Sequence, residues 1–354
     1  KYLTILIIIC YYNNEYIIEM ELLLKKIEQG VFYTIKNCFN NPIFIKWFKN
    51  IPHIKERIFI EPFAGENNII QMIREIKFKN KWKAYDINRS NKNVCPDIPI
   101  VLNDSINNYI GNLDDIVITN PPYLAKNSAS RKKIFYPKTQ FDDLYKLSLD
   151  IMLKCHDYVI AIIPESFITA NLFKNRIDLI ISINHKIFND TTVPCCIACL
   201  SPSKQKINYN IYSGETFLFN INEELFENRY FNVIKTEDKI IFNSLKGQIG
   251  CICIDGVKSE SIKFVNGNEI KDNEIKVSSR AKTRIFVEKL NGFSDIKIQN
   301  FIENLNIQLY KYRNETKDVF LTSFKGLRID NKYRRRIDFK TIKNMIIKEI
   351  EKLD

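Results

Sequence analysis

Four consecutive residues, Asn120-Pro121-Pro122-Tyr123, stop the β-branched run Asp114-Asp115-Ile116-Val117-Ile118-Thr119. No strand interior favours them, because proline removes a ladder donor and restricts the residue before it. Two prolines in a row also stiffen the backbone, so an amide side chain and an aromatic ring are held rigidly where the strand ends. Three acids stand at comparable places earlier in the chain: Glu61 in Glu61-Pro62-Phe63-Ala64-Gly65, Asp86 in Tyr85-Asp86-Ile87-Asn88, and Asp104 in Leu102-Asn103-Asp104-Ser105. Taken singly, each Asp is a helix cap or turn former, and Asn-Pro-Pro-Tyr is a rigid turn. Four polar strand endings in succession point to a ligand site.

The elements that must carry these residues alternate between β-rich runs and helical periods from Arg57 to Leu200. Strands are expected over Arg57 to Gly65, Lys81 to Asn88, Asp97 to Ser105, Asp115 to Tyr123 and Asp157 to Phe167. Helices are expected after Asn67, with Ile69, Ile70, Met72, Ile73 and Ile76 on one face, and over Gln140 to Cys155, with Leu144, Leu147, Leu149, Ile151 and Leu153 as its apolar positions. Uninterrupted apolar runs are the mark of strands buried on both faces of a parallel sheet, so the fold class is α/β, doubly wound. In such sheets ligands bind outside the carboxyl ends of the strands, where the four polar endings lie. After Ser201-Pro202-Ser203-Lys204-Gln205-Lys206 the texture becomes mixed, without βα alternation, until a terminal helix over Phe339 to Leu353. Three parts are therefore expected: an N-terminal extension with a helix (1–29), a cofactor-binding catalytic domain (30–204) and a C-terminal α+β recognition domain (205–354).

The site chemistry fits a nucleoside-bearing cofactor. Gly65 lets the backbone approach a ligand closely, and an acid after the neighbouring strand, Asp86, can accept hydrogen bonds from both ribose hydroxyls. The loop Ala64-Gly65-Glu66-Asn67-Asn68 has one glycine instead of three, and Glu61 ahead of it would repel a pyrophosphate while favouring a cationic amino-acid group. S-adenosylmethionine, with an ammonium, a sulfonium, a ribose and no phosphate, is the expected cofactor.

On these residues the sequence resembles the S-adenosylmethionine-dependent DNA N6-adenine methyltransferases whose cofactor motifs precede an Asn-Pro-Pro-Tyr catalytic motif and whose recognition domain is C-terminal. The resemblance runs from Gly30 to Leu200, a little under half of the chain, through Gly30-Val-Phe-Tyr-Thr34, Glu61-Pro-Phe-Ala-Gly-Glu-Asn67, Asp86, Leu102-Asn-Asp-Ser105, Asn120 to Tyr123, Ile162-Ile-Pro-Glu-Ser-Phe167 and Thr191 to Leu200. It implies a Rossmann-like fold with a mostly parallel seven-stranded sheet. It implies cofactor binding by Thr34, Glu61, Pro62, Gly65, Asp86, Ile87, Asp104 and Asn120, and catalysis by Asn120, Pro121, Pro122 and Tyr123. One position departs from the pattern: Asn67 stands where the first motif usually has a second glycine, and Asn tolerates left-handed backbone angles better than most residues.

For an adenine substrate the chemistry follows. N6 is a poor nucleophile inside a stacked duplex, so the base must be extruded and its amino group held by acceptors that favour a pyramidal nitrogen. The Asn120 side-chain oxygen and the Pro121 carbonyl can each accept one N6 hydrogen, and Tyr123 can stack on the extruded ring, a contact worth roughly 1–3 kcal/mol. Asn-Pro-Pro-Tyr also serves rRNA guanine-N2 and protein glutamine methyltransferases. An RNA methyltransferase acting on adenine N6 or guanine N2 is therefore the competing enzyme, and a DNA-binding module with a degenerate cofactor fold the competing non-enzyme.

The rest of the chain is consistent with a nucleic-acid partner. Its 354 residues carry a net charge of +12, with 27 basic and 21 acidic residues from Gln205 to Asp354, so each part contributes about half and only local clusters inform. Ser278 to Arg284 and Asn331 to Arg336 are such clusters. Arg280, Arg284, Arg334, Arg335 and Arg336 are the expected phosphate and base contacts, against the bland reading of a solvated face. Nine cysteines without regular spacing argue for a reducing compartment, hence the cytoplasm. Cys196, Cys199, Cys251 and Cys253 read as buried thiols rather than a zinc site, the Pro194-Cys195 pair is misplaced for a cytosine methyltransferase nucleophile, and His53, His156 and His185 have no ligand spacing, so no metal is expected. The run Tyr2 to Tyr12 is too short to span a bilayer, and Met20 opens an amphipathic helical stretch. The expected partners are double-stranded DNA and a cognate restriction endonuclease, with no membrane and a monomeric enzyme.

Overall fold

The structure is a computed structural model and describes residues 34, 36–88, 92–109, 111–183, 185, 187–188, 193–223, 234–276, 280–330 and 332–353. The expected N-terminal helix at Met20, the run Tyr2 to Tyr12, Gly30 to Tyr33, Thr191, Ser278, Ser279 and Asn331 lie outside these residues. Two compact units divide the chain. One runs to Ile163 and adds His185–Thr191 and Ile197–Pro202, and the other comprises Pro164–Asn184, Thr192–Cys196 and Ser203–Asp354.

The first unit is built on β1 (Phe59–Glu61), β2 (Trp82–Asp86), β3 (Ile100–Leu102), β4 (Ile116–Thr119) and β5 (Tyr158–Pro164), the last crossing into the second unit at Pro164. Their order is β3-β2-β1-β4-β5, then β7 (Cys195–Leu200), of which Ile197 to Leu200 belong here. The pairs β1–β2, β2–β3, β1–β4 and β4–β5 are all parallel. Because β1 has β2 on one side and β4 on the other, the strand order reverses between β1 and β4, which opens a crevice at their carboxyl ends. The central strands are buried throughout, as their β-branched composition requires, whereas β3 forms the edge and leaves Val101 and Leu102 about half exposed.

Local sequence sets the helices of this unit. The Asn41 side chain caps α1 (Pro42–Lys49) by accepting from the Ile43 and Phe44 N–H groups, and Pro42 fills the first turn where no donor is needed. Phe44 and Phe48 then join Phe39, Phe59 and Trp82 in a train of rings with centroids 5.1–5.5 Å apart. Each such pair adds about 0.5–1.5 kcal/mol beyond its area burial, which clamps α1 to β1 and β2. In α2 (Asn68–Glu75) Ile69, Ile70, Met72 and Ile73 of the expected stripe are buried, whereas Ile76 caps the C-terminus and is only partly buried. In α4 (Leu144–Cys155), which follows α3 (Lys126–Lys132), the buried face is Leu144, Tyr145, Ser148, Leu149 and Met152. Leu147, Ile151 and Leu153 are only partly buried, since the 3.6-residue period turns them to the flank, and Ser148 is accommodated by donating to the Leu144 carbonyl.

The second unit takes the start of β7 and continues with β6 (Ile177–Ser182), β8 (Asn208–Ser213) and β9 (Thr216–Asn222) in the order β7-β6-β8-β9. The last two strands are additional to the seven expected, β8 running parallel to β6 and β9 antiparallel to β8. A separate antiparallel sheet follows, ordered β10 (Ile240–Phe242), β13 (Lys282–Val287), β11 (Ile249–Ile252), β12 (Lys263–Asn266). It packs with α5 (Asp295–Thr316) and α6 (Phe339–Ile350) around Cys251, Phe264, Ile285, Leu305, Leu309 and Ile346. A two-stranded ribbon, β14 (Thr322–Leu327) with β15 (Tyr333–Arg336), completes this α+β part. Deep within it, Asp255 is fully buried and accepts from both Arg313 Nη atoms (3.1 and 3.0 Å) and from the Ser261 and Ile262 N–H groups. These bonds hold its carboxyl below the usual range although burial alone would raise it.

Among the described residues no helix is long and apolar enough to cross a membrane, and no group of three His, Cys, Asp or Glu side chains could hold a metal ion.

Candidate active site

At the carboxyl ends of β1, β2, β3 and β4 the first unit opens into a cavity of about 350 Å³. That is within the range of roughly 300–1,000 Å³ typical of small-molecule sites. Of the residues singled out in the sequence, Thr34, Gly65, Asp86, Ile87, Asp104, Asn120 and Pro122 line it. Glu61, Pro62, Pro121 and Tyr123 do not.

The β1 turn is bound to β2 by backbone chemistry. Gly65 adopts φ +55°, and its N–H donates to Asp86 Oδ2 at 2.8 Å, while the Asn88 N–H donates to Oδ1 at 2.8 Å. Burial pushes the Asp86 carboxyl up, and the bonds from Asn88 and Gly65 oppose the rise. The Ile87 N–H adds a third bond, so of a carboxylate's roughly four lone-pair sites about one remains for a ribose hydroxyl. Asn67 also lies in the left-handed region, at φ +66°, and is fully buried. Its amide nitrogen donates to Asn93 Oδ1 (2.8 Å) and to the Ile98 carbonyl (3.0 Å), so the residue in the glycine position also ties the loop ahead of β3 to the α2 N-terminus.

Asp104 closes β3 as an Asx turn. Its carboxylate accepts from the Ile106 and Asn107 N–H groups and from Asn107 Nδ2, and these bonds hold it below the usual carboxylate range despite the opposing effect of burial. The turn presents Asn103, Ser105 and Ile106 to the cavity, and Ile87, Pro122, Leu124 and Leu144 make its apolar wall.

Glu61 ends β1 and is 1% exposed. Oε1 accepts from Thr119 Oγ1 (2.6 Å) and from the Phe63 N–H (3.0 Å), whereas Oε2 is buried without a partner among the described residues. Burial pushes its carboxyl up to about 8, with Thr119 and Phe63 pulling the other way. A buried carboxyl with an orphaned oxygen is the group that a cationic ligand would satisfy.

Asn120 is half-buried, with Nδ2 3.4 Å from Thr34 Oγ1. Tyr123 Oη lies 2.6 Å from both Asn120 Oδ1 and the Ile162 carbonyl, and its single proton can serve only one of them at a time. The Tyr123 ring meets Tyr145 and Phe188 edge-on, with centroids 6.2 and 6.1 Å away. Tyr123 thus braces Asn120 and packs on α4. Phe135 lines the cavity and is 83% exposed. Its role has no signal in the sequence, because it lies in the irregular stretch after α3.

The five arginines of the basic clusters lie in the second unit and differ in their surroundings. Arg284 is spent internally, donating to the Ile270 and Leu245 carbonyls and pairing with Asp272 at 2.7 Å. Arg335 is turned to Glu165 (3.3 Å) and Ser323 (2.5 Å). Arg334 donates through Nε to the Asp255 carbonyl (2.6 Å) and lies over the Phe324 ring. Arg280 is exposed, with its guanidinium over Phe339, and Arg336 borders a small cavity of its own. The thiols of Cys195, Cys196, Cys199, Cys251 and Cys253 are buried and unpaired by disulfides.

No protein-family model matches the chain, and no curated protein matches it. Among solved structures, a Listeria monocytogenes protein assigned to the class I S-adenosylmethionine-dependent methyltransferases is 16% identical, over 56% of this chain and 72% of its own, with a TM-score of 0.36. The methyltransferase subunit of a type I restriction-modification system from Streptococcus thermophilus is 16% identical, over 52% of this chain and 47% of its own, with a TM-score of 0.37. The M protein of the type I restriction enzyme EcoKI is 10% identical, over 84% of this chain and 67% of its own, with a TM-score of 0.31. This chain therefore spans about half the length of the Streptococcus subunit. Likenesses of this strength carry no argument, and the chemistry of the site rests on the residues described above.

Proposed function

We propose that the chain is an S-adenosylmethionine-dependent methyltransferase that modifies N6 of an extruded adenine in double-stranded DNA, as the modification enzyme of a restriction system with a cognate endonuclease as its partner. One observation carries the reading: Asn120 and Pro122 open onto the same cavity as Gly65, Asp86 and Asp104, at the point where the parallel strand order reverses.

The residues fit the cofactor. The remaining acceptor capacity of Asp86 suits a ribose hydroxyl, the apolar wall of Ile87, Pro122 and Leu124 suits an adenine ring, and the orphaned Glu61 Oε2 suits an ammonium. When bound, S-adenosylmethionine supplies an electrophilic methyl group on a sulfonium. The protein's part is to orient the nucleophile. Asn120 Oδ1 and the Pro121 carbonyl accept the two N6 hydrogens, which localises the nitrogen lone pair and aims it along the line of displacement. Proline on both sides of the Pro121 carbonyl keeps that acceptor in place before the substrate arrives. Tyr123 Oη donates to Asn120 Oδ1 and can turn its hydrogen bond to the Ile162 carbonyl as the substrate amine engages. No strong base is needed, since the methylated nitrogen loses its proton readily.

The test is incubation with labelled S-adenosylmethionine and unmethylated duplex DNA or RNA, followed by nucleoside mass spectrometry. N6-methyladenine in the DNA is expected. Label confined to RNA would transfer the reading to an RNA methyltransferase, and failure to bind the cofactor in calorimetry would overturn it.

A further inference from the structure

The ribbon of β14 and β15 sorts its arginines by face. Opposite residues of an antiparallel pair share a face, and the register pairs Thr322 with Arg336, Ser323 with Arg335 and Phe324 with Arg334. Ser323 and Arg335 therefore turn one way, to Glu165, whose carboxylate also accepts from Ser182 Oγ at 2.7 Å. Arg334 and Arg336 turn the other way with Phe324. Arg334 is held by the Asp255 carbonyl and lies 5.2 Å from the centre of the Phe324 ring. The Arg336 guanidinium has no hydrogen-bond or ion-pair partner among the described residues.

Arg336 borders a cavity of about 270 Å³, together with Pro164, Ser166, Val193, Pro194 and Phe324, and Ser323 reaches its edge although it bonds to Glu165. No acidic residue lines it among the described residues, and the carboxylate of the neighbouring Glu165 is engaged by Arg335, Ser182 and Ser323. Ser166 is exposed and adds a hydroxyl donor, while the prolines and the ring make an apolar wall. A planar, unpaired guanidinium at the mouth of a small, partly apolar, acid-free hollow suits a phosphodiester that brings its sugar with it.

We propose that this cavity binds one phosphodiester of a nucleic-acid strand, with Arg336 holding the phosphate, Ser166 donating to it and Phe324 packing on the sugar. The inference rests on the nucleic-acid reading above and selects one of five arginines that look alike in the sequence. Binding of a labelled DNA duplex by fluorescence anisotropy across a salt series tests it, using the full chain. Arg336→Ala is expected to weaken binding roughly tenfold at about 0.1 M salt and to reduce the slope of log K against log salt by about one, the signature of one lost phosphate contact. Arg336→Lys should keep the slope and recover only part of the affinity, since it restores the charge without the fork. Lys263→Ala, an equal loss of charge at an exposed position of β12, should leave both unchanged. An unchanged slope in Arg336→Ala, or an equal loss in Lys263→Ala, overturns the cavity while leaving the methyltransferase reading intact. A wild-type chain that binds no nucleic acid overturns both. A protein partner would show instead as Arg336-dependent association without any effect on DNA affinity.

Discussion

At the scale of single residues, the proposed site pairs a group placed to act on a substrate, Asn120, with one that holds it in place, Tyr123. In the proposed reaction Asn120→Ala removes one of two acceptors for the substrate amine and is expected to lower turnover by about 10²–10³-fold, as for other preorganised polar groups, with cofactor and DNA binding still measurable. Full turnover in single-turnover assays would remove Asn120 from the mechanism. Glu61 gives a pH signature. It titrates at about 8 in the folded chain against an ordinary value of 4.5, so the folded state holds the proton across that interval. Its contribution to stability is therefore present below about pH 4.5 and is lost as the pH rises through about 8. On the proposed reading a cofactor ammonium at Glu61 reverses the preference, because binding expels the proton. Cofactor affinity should accordingly rise with pH between about 6 and 8, by up to about tenfold per unit, and Glu61→Gln should flatten that rise. A wild-type dissociation constant independent of pH over this range would exclude Glu61 as the ammonium partner. The strand-end polarity of Asp86, Asp104 and Asn120 was legible in the sequence, because it needs only the alternation of elements. The bracing of Asn120 by Tyr123 was not, because the Ile162 carbonyl and the Phe188 ring are remote in sequence.

At the scale of elements, hydrophobic periodicity located β1, β2, β4, β5, α2, α4 and α6 because each has an uninterrupted run or a clear stripe. It could not tell which strand would be the edge, since Ile100-Val101-Leu102 reads like its buried neighbours. Asn67 shows the same division. Its left-handed backbone follows from residue type, whereas its bonds to Asn93 and the Ile98 carbonyl depend on the loop returning to it. Asn67→Ala should destabilise the protein by about 2–4 kcal/mol, combining two lost buried hydrogen bonds with a Cβ at positive φ. Asn67→Gly should cost about 1–2 kcal/mol less, as it relieves the backbone strain alone. Urea midpoints at constant m-value measure both, and equal losses would mean that the backbone is unstrained. The arginines of β15 were indistinguishable until the ribbon's register was known, since one residue of offset decides whether a guanidinium meets Glu165 or a cavity.

At the scale of the molecule, the second unit depends on a buried charge cluster. Arg313 pairs with Asp255 and with Asp318 (2.7 Å), and Arg328 with Glu260 and Asp330. Arg313→Ala strands a fully buried carboxylate and is expected to cost about 3–5 kcal/mol in chemical denaturation, while the cofactor dissociation constant at the first-unit site stays unchanged. A loss below about 1 kcal/mol would show that the cluster is replaceable. The division of the chain bears on how the protein can be altered. The backbone passes from one unit to the other at Ile163–Pro164, Asn184–His185, Thr191–Thr192, Cys196–Ile197 and Pro202–Ser203. A joint at Pro202–Ser203 moves Ser203–Asp354 alone and leaves Pro164–Asn184 and Thr192–Cys196 behind, so no single protease cut or splice junction separates two whole units. Exchange of the complete second unit between such chains would require Pro164–Asn184, Thr192–Cys196 and Ser203–Asp354 to move together.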